Sequence, residues 1–553
     1  MSVVMMTASS SMTTLLLPLM LAAVMLIAPT STHQTAVATA VTTAATTTPH
    51  ASIHVATATA VTAATTPHDA VVAATPHDAV ATTTLATPDA DDAAAPHDAV
   101  ATTTLATPDA DSAADAAADA AAADAADAVD DTNGVLTPLR KEKRNVGDQI
   151  WSLSLDASTS KSSDMAALHE NLDVLHYSSD SVTIFVRKTR LSITKEFLEG
   201  RHLAYNVVVN DVAVYLQSLQ SAEDADAEAS SRDDEICTED NCMRPLRHTY
   251  MTFQQIEWFL KNLAERCPEN VMMSTVGYSH NGNAIYLITV SPSADFVADL
   301  ECGPRPAVFI DGGIHAREWI APATVLNMLM KQTENCAANT DCDYEYYFMP
   351  MMNPDGYEYT WTNDRFWRKN RSPPPLKNDC FGTDLNRNWN PQWGNIGSSS
   401  NTCKEIYRGT TPFSEPETTS AKNVMTRIAN NPELDLLVYL SYHSFGQLVL
   451  YPWGYTSDLA PTKADLEKGG NVYNNALKGV HNVPYVVQQA AELYPASGAS
   501  DDFAYSLPIK YVYTVELRNT RSFLLPRNEI ALTFEENYAG YMALLKHATS
   551  QSN

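Results

Sequence analysis

Two histidines and a glutamate in this chain have side chains that can hold a metal ion. His315 and Glu318 are three residues apart where the predicted strand 308–311 gives way to a helical pattern, so both can reach one ion. Taken alone, this spacing is also common in surface pairs, and a metal would need a third ligand. His443 follows a second apolar run, 436–440, and can supply it. Two histidines and one glutamate, with a fourth position left for water, are typical of a catalytic zinc site.

A further carboxylate, Glu516, ends a third apolar run at residues 511–515. It is either an ion-pair partner or a general base that takes a proton from water. In open α/β sheets, ligands bind beyond the carboxyl ends of the strands, and all of these residues fall at such ends. This position favours the role of general base.

The elements that must position these residues alternate between strand and helix. Strands are predicted at 307–311, 346–351, 436–441 and 511–517, and helical spacing occurs at 320–331 and 534–546. For residues 248–550 this alternation predicts an α/β domain. We expect a mixed, mostly parallel central sheet with helices on both faces and one large core.

A smaller domain is predicted before it, at residues 140–220. Its strand-like runs are 149–155, 182–186 and 205–209, and its helical segments are 165–175 and 193–198, which indicates an α+β fold. Residues 221–247 form an acidic linker that contains Arg232, Arg244 and Arg247. Exposed polar linkers are preferred sites of proteolysis. A small domain, a cleavable linker and a large domain together predict a zymogen.

The first 139 residues have a different composition. Residues 1–30 contain the apolar run 15–28, which is shorter than the ~20 residues of a membrane span and predicts a secretory signal peptide, with an uncleaved anchor as the alternative. Residues 31–139 are rich in Ala, Thr and Asp and contain a 20-residue repeat. We expect a disordered tract, either O-glycosylated or unmodified.

Charge and cysteine content restrict the possible partners. The formal net charge is −29, and no basic face is evident, which argues against a nucleic-acid partner. No segment predicts a membrane span. All eight cysteines follow residue 236, as expected for disulfides in a secreted, extracellular protein.

Six motifs, in order, resemble the zinc metallocarboxypeptidases of the pancreatic A/B type. They occupy residues 315–318, 367–371, 384–389, 441–444, 493–498 and 516–518. The resemblance spans residues 250–546, and the preceding region resembles the propeptide of that family. It implies one Zn²⁺, peptide or protein C-termini as substrate, activation by a trypsin-like protease, and a monomer.

The resemblance also implies catalytic roles. Zinc would be held by His315, Glu318 and His443, with Asp384 fixing the orientation of His315. Glu516 would take the proton from water and later pass it to the leaving amine. Arg371 would stabilise the oxyanion together with zinc.

Further residues are expected to bind the substrate. Asn386 and Arg387 would bind the free carboxylate, because a guanidinium can grip it bidentately. Tyr494 would close over the substrate, and Arg317 would line the approach to the site. The cleft would also be lined by Ser444 and by Phe445, which stands where the family usually has tyrosine.

The residue seven positions after Tyr494 lines the base of the specificity pocket in this family, and here it is Asp501. A buried carboxylate favours C-terminal Lys or Arg, which predicts B-type specificity. Three alternatives remain: A-type specificity for apolar residues, a catalytically inactive glycoprotein, and a zinc-dependent binding module.

The cysteines and one sequon give further expectations. Cys380 and Cys403 correspond to a disulfide of the family, and Cys336 is close enough to Cys342 for a local bridge. The pairs 237/242 and 267/302 are hypotheses. Asn370 lies in a glycosylation sequon beside the predicted cleft, so we expect it to be unmodified.

Overall fold

The computed structural model describes residues 145–155, 162–177, 180–219, 245–292, 303–375, 379–519 and 522–551. The predicted signal peptide, the tract 31–139 and nearly all of the linker 221–247 lie outside these ranges. Within them, every helix is too short or too polar to cross a bilayer.

The small domain, residues 145–219, is an antiparallel sheet with helices. Its elements are β1 (Gln149–Ser154), α1 (Ser162–Asn171), β2 (Asp173–Tyr177), β3 (Ser181–Val186), α2 (Leu191–Glu199) and β4 (Tyr205–Val209), followed by helical residues 212–219. The strand order is β2-β3-β1-β4. Alternate residues of β1 face opposite sides: Trp151 and Leu153 lie in the core of the domain. Ile150 packs in a separate cluster that includes Phe366 and Phe445 of the large domain.

The large domain is built around a sheet of eight strands. Its elements are α3 (Phe253–Arg266), β5 (Val271–Tyr278), β6 (Ala284–Val290), β7 (Arg305–Gly312), α4 (Ile320–Ala337), β8 (Glu345–Met349), α5 (Pro354–Thr362), α6 (Pro416–Ala429), β9 (Leu434–His443), β10 (Leu448–Tyr451), α7 (Lys463–His481), β11 (Val486–Gln489), α8 (Ala490–Leu493), α9 (Ser500–Ser506), β12 (Tyr511–Glu516) and α10 (Glu529–Ser550). The strand order is β11-β10-β12-β9-β7-β8-β6-β5. The four central strands, β12, β9, β7 and β8, are parallel, and the pairs β10–β12, β6–β8 and β5–β6 are antiparallel.

The sheet is buried on both faces, as its apolar central strands require. Val308 and Ile310 of β7 join one core with helices α3, α4, α7 and α10. Ala307 and Phe309 of the same strand join the other core, with α6 and α9. This arrangement confirms the predicted α/β fold with a mixed sheet and helices on both faces.

The predicted helix at residues 165–175 was too long. Helix α1 ends at Asn171, and β2 begins at Asp173, where it pairs with β3. The apolar spacing of Leu168, Leu172 and Leu175 fits a helix, but the backbone from residue 173 onward is hydrogen-bonded in the sheet.

Candidate active site

The three predicted metal ligands lie at the carboxyl ends of neighbouring parallel strands. His315 and Glu318 are in the turn between β7 and α4, and His443 is the last residue of β9. Because β7 and β9 pair in parallel, their ends meet at the same edge of the sheet. The register of the strands therefore brings together residues that are 128 positions apart in the sequence.

The donor atoms of the triad converge tightly. Nδ1 of His315 is 2.8 Å from Oε1 of Glu318, and Nδ1 of His443 is 3.2 Å from Oε2 of the same carboxylate. The two Nδ1 atoms are 3.2 Å apart. All three residues are buried, and burial opposes the charge on Glu318, but the two imidazoles hold the pKa of this carboxyl below its usual range. Burial lowers the pKa of His443, but the charge of Glu318 outweighs this effect and raises the pKa to about 9.

Zn²⁺ fits this donor set. One donor atom from each of the three residues lies within 4.8 Å of the others, and two imidazoles with one carboxylate are the donors that catalytic zinc prefers. A divalent cation here would hold apart nitrogen atoms that otherwise lie side by side. His315, Glu318 and His443 are thus the residues that would hold it.

Asp384 fixes the orientation of His315, as the resemblance implied. Its Oδ1 lies 3.1 Å from Nε2 of His315, so Nδ1 is left for the metal. Its Oδ2 accepts hydrogen bonds from Nε and Nη2 of Arg368 at 3.2 and 3.0 Å. Burial opposes ionisation of Asp384, but Arg368 keeps its pKa well below the usual range. The aspartate is therefore ionised and orients the ligand.

Glu516, the predicted base, ends β12 directly beside the triad. In the parallel pairing of β12 with β9, Glu516 is opposite His443. Burial raises the pKa of Glu516 to about 8; the neighbouring charge of Glu318 also raises it, and His443 opposes the rise. A carboxylate with a raised pKa is a stronger base than one in water, which suits proton transfer near neutral pH.

The structure does not bring Arg371, the predicted oxyanion residue, to the triad. Its guanidinium carbon lies over three rings instead, at 3.7 Å from the centroid of Tyr359, 4.5 Å from that of Trp367 and 5.0 Å from that of Phe381. Arg368, three residues earlier, is buried, contacts Asp384 and acts electrostatically on Glu516. Of the two arginines, Arg368 is therefore the one beside the triad, and the sequence did not single it out. Both arginines lie in the run 367–371, and spacing alone does not separate them.

Asn386 and Arg387 lie together in the turn after Asp384. The amide oxygen of Asn386 accepts a hydrogen bond from the backbone N–H of Ser500 at 2.9 Å. Arg387 is buried, and its Nε and Nη1 donate to the carbonyls of Gly397 and Asn386 at 2.7 Å each. Its Nη2 is buried without a hydrogen-bond partner among the described residues. A buried guanidinium donor left free in this way can bind a carboxylate.

Asp501 is buried in the first turn of α9. One of its oxygens accepts a hydrogen bond from the backbone N–H of Asp502 at 2.9 Å, and the other accepts one from the hydroxyl of Thr514, on β12, at 3.2 Å. Burial raises the pKa of Asp501. Its carboxyl is held close enough to His443 and Glu516 to interact with both charges. Its buried carboxyl therefore lies near these two residues of the candidate site.

Three other predicted residues contact the small domain, and a fourth, Ser444, is hydrogen-bonded to the triad. Arg317 donates from Nη1 to Asp173 at 2.7 Å. The ring of Tyr494 is 4.1 Å from that of His169, and the ring of Phe445 stacks 5.0 Å from that of His176. Ser444 joins the site through its backbone N–H, which donates to Glu318 at 3.1 Å. The small domain therefore lies over residues expected to bind substrate.

The covalent predictions agree with the structure where their residues are described. Disulfides join Cys380 to Cys403 and Cys336 to Cys342. The other two proposed pairs each include residues outside the described ranges.

The sequon residue Asn370 is buried, as expected for an unmodified side chain. Its Nδ2 donates to Glu415 and Glu417 at 2.7 and 3.1 Å, and its oxygen accepts from the backbone of Thr383 at 2.7 Å. This network leaves the amide no exposed atom for a glycan.

Comparison with known proteins agrees with the geometry. Residues 256–540 match the peptidase M14 family, described as zinc carboxypeptidase. "Carboxypeptidase B" of Astacus astacus is 40% identical over 298 residues, which are 53% of this chain and 94% of that protein. "Carboxypeptidase O" of Homo sapiens is 38% identical over 298 residues, covering 52% of this chain and 76% of that protein.

Solved structures show the same likeness. The crystal structure of thrombin activatable fibrinolysis inhibitor has a TM-score of 0.60 at 29% identity, over 73% of this chain and 98% of that one. Carboxypeptidase A from Helicoverpa armigera has a TM-score of 0.64 at 26% identity, over 74% and 99% of the two chains. The family match over residues 256–540, together with the buried His₂Glu set, shows that the chain belongs to the zinc carboxypeptidase family and is a metallocarboxypeptidase.

Proposed function

We propose that the protein is a secreted zymogen whose large domain, residues 248–550, removes C-terminal Lys or Arg from peptides and proteins. The observation that carries this proposal is the buried carboxyl of Asp501, whose charge interacts with those of His443 and Glu516. A lysine or arginine side chain would neutralise this carboxylate. An apolar side chain would leave it buried and unpaired, at a cost of several kcal/mol.

The chemistry follows from the residues around the triad. When bound, zinc supplies a Lewis acid that polarises the scissile carbonyl and lowers the pKa of water. Glu516 takes the proton from the attacking water and returns it to the amine that leaves. Arg368, which Asp384 holds in place, would stabilise the oxygen that becomes negatively charged. Arg371 has no part in this scheme.

Substrate orientation depends on a second group of residues. The free Nη2 of Arg387 and the amide of Asn386 would bind the terminal carboxylate, which limits cleavage to the last peptide bond. The pocket of Asp501 would receive the C-terminal side chain. Tyr494, whose ring centroid is 5.8 Å from the Arg387 guanidinium, would close over the bound residue. Arg317 and Phe445 would line the approach.

The small domain supports the zymogen part of the proposal. It contacts Arg317, Tyr494 and Phe445, so a peptide cannot reach these side chains while it is docked. The likeness to the two solved structures extends over 73% and 74% of this chain, well beyond residues 256–540. A trypsin-like protease would cut in the segment 221–247. The two disulfides fit a secreted enzyme. We expect it to work as a monomer.

One assay tests the proposal. The full chain is treated with trypsin and offered matched peptides ending in Arg, Lys, Phe or Leu, with and without a zinc chelator. We expect activity only after trypsin, preference for Arg and Lys, and loss of turnover with the chelator that added zinc restores. Faster release of Phe or Leu would contradict B-type specificity and favour the A-type alternative. Full activity before trypsin treatment would contradict the zymogen.

A further inference from the structure

We propose that His169 of the small domain is an acid-sensitive latch: at neutral pH it packs uncharged against the substrate-binding residues, and acidification weakens the docking of the small domain. The inference deepens the proposed function, because it assumes that the docked small domain blocks the active site. It concerns the regulation of that site and no step of the catalysis.

The latch is defined by geometry. His169 lies in the last turn of α1, and its ring centroid is 4.1 Å from that of Tyr494, with the two planes inclined by 45°. Tyr494 in turn lies 5.8 Å from the guanidinium of Arg387. The imidazole therefore lies beside Tyr494 and near Arg387, where we expect the terminal carboxylate of a substrate to bind.

The charges that face His169 are mainly positive. Burial lowers the pKa of His169 well below its usual value, and Arg387, Arg368 and Arg317 lower it further. Two groups act in the other direction and raise the pKa of His169: Asp384, which is already paired with Arg368, and the carboxyl end of helix α1. A proton on this ring would be repelled by three guanidinium groups, whereas the ring of an undocked small domain would titrate normally in water.

Two other titratable groups of the interface must be included. Burial also lowers the pKa of His176, which stacks on Phe445, so this group acts in the same direction as His169. Asp173, paired with Arg317, acts in the opposite direction: burial raises its pKa to about 6 while it is docked, although Arg317 opposes the rise. Acidification then favours the docked state at Asp173 and the undocked state at both histidines.

The expected effect can be estimated for each group. A histidine that stays neutral when docked and has a pKa of about 6.5 when free weakens docking about tenfold between pH 7.5 and 5.5. Asp173, with a docked pKa of about 6, offsets this by about fourfold at pH 5.5. The pKa of His169 is lowered further than that of His176. We therefore expect His169 to contribute most to the weakening of docking at low pH.

The experiment uses the complete chain with a specific protease site placed within residues 221–247. After cleavage, the dissociation constant of the two parts is measured by sedimentation at pH 7.5 and 5.5, in excess zinc. The ratio of the two constants is compared for the wild type and for His169→Asn and His169→Gln. His202→Asn is the matched control, because His202 is an exposed histidine of the same small domain.

We expect both substitutions of His169 to lower the ratio about tenfold and His202→Asn to leave it unchanged. A ratio that stays at the wild-type value in both His169 variants would overturn the latch. The readout requires no turnover. A chain without Arg or Lys carboxypeptidase activity can therefore still show the effect, and an active enzyme can lack it.

Discussion

Removing the charge of Asp501 should change which C-terminal residue the enzyme releases. In the variant Asp501→Asn, the amide oxygen can still accept the hydrogen bond from the N–H of Asp502, which is 2.9 Å long in the native protein. The hydroxyl of Thr514, now a donor at 3.2 Å, can rotate to accept from the new amide. The shape of the pocket and its hydrogen bonds are therefore retained, and the negative charge is lost.

The magnitude follows from the burial of this carboxyl. Leaving one member of a buried ion pair without its partner costs about 3 kcal/mol or more, which is a factor of about 10² in kcat/KM. We expect kcat/KM for a peptide ending in Arg to fall by at least this factor. For a peptide ending in Phe it should rise, since the apolar ring no longer faces a buried carboxylate.

Stability should not account for the change. Burial raises the pKa of Asp501, so the charged form is less favourable in the folded protein than in the unfolded chain. This penalty applies above the unfolded pKa of about 3.9, and a neutral amide removes it at pH 7. The melting temperature of Asp501→Asn should equal or exceed that of the wild type.

Asp502 provides the matched control. It is also buried, in the same turn of α9, but its Oδ1 accepts a hydrogen bond from the N–H of Gly454 at 2.9 Å. We expect Asp502→Asn to keep the preference for Arg over Phe. The assay is steady-state hydrolysis of the two peptides by each activated variant. An unchanged Arg-to-Phe ratio in Asp501→Asn would refute the assignment of the pocket.

Three more substitutions test the candidate site and the stability of the fold. Arg368→Gln should lower kcat about 10²- to 10³-fold, because it removes the charge next to Asp384 and Glu516. Arg371→Gln, which changes contacts with aromatic rings away from the triad, should leave kcat unchanged. Equal losses in both variants would contradict the assignment of Arg368. His280→Gln should lower the free energy of unfolding by about 0.5–1 kcal/mol at pH 6, because Glu415 raises the pKa of this partly exposed imidazole. The effect should shrink as the pH rises through the folded pKa, and urea titrations at pH 6 and 8.5 would check it.

The sequence predicted the parallel centre of the sheet better than its edges. Strands β7, β8, β9 and β12 are buried on both faces, so each reads as an apolar run that stands out from its surroundings. The edge strand β11 has four residues, too few to show a period, and none of them was predicted. The over-long helix at 165–175 has a related cause, because local spacing there cannot report the pairing of β2 with β3.

The sequence pointed to those residues of the candidate site whose side-chain chemistry is distinctive. It did not distinguish residues of the same type that differ only in where the fold places them. Histidines and carboxylates at strand ends indicate a metal and a base without any knowledge of the fold. Two arginines three residues apart are chemically equal in a sequence, and only the fold shows that Arg368 contacts Asp384 while Arg371 lies among aromatic rings. The contact of His169 with Tyr494 depends on the docking of two domains, which no local pattern encodes.

Catalysis and its control are carried by different kinds of structure in this molecule. The proposed metal ligands and Glu516 lie at or just after the ends of parallel strands. A shift of one residue in the pairing of β12 with β9 would turn Glu516 to the other face of the sheet. Asp501 and Tyr494 belong to a short helix and a loop outside the sheet, and His169 belongs to another domain. We therefore expect that single substitutions can change the proposed substrate preference and acid response while leaving the strand register intact. A variant that alters either property should consequently retain its affinity for zinc.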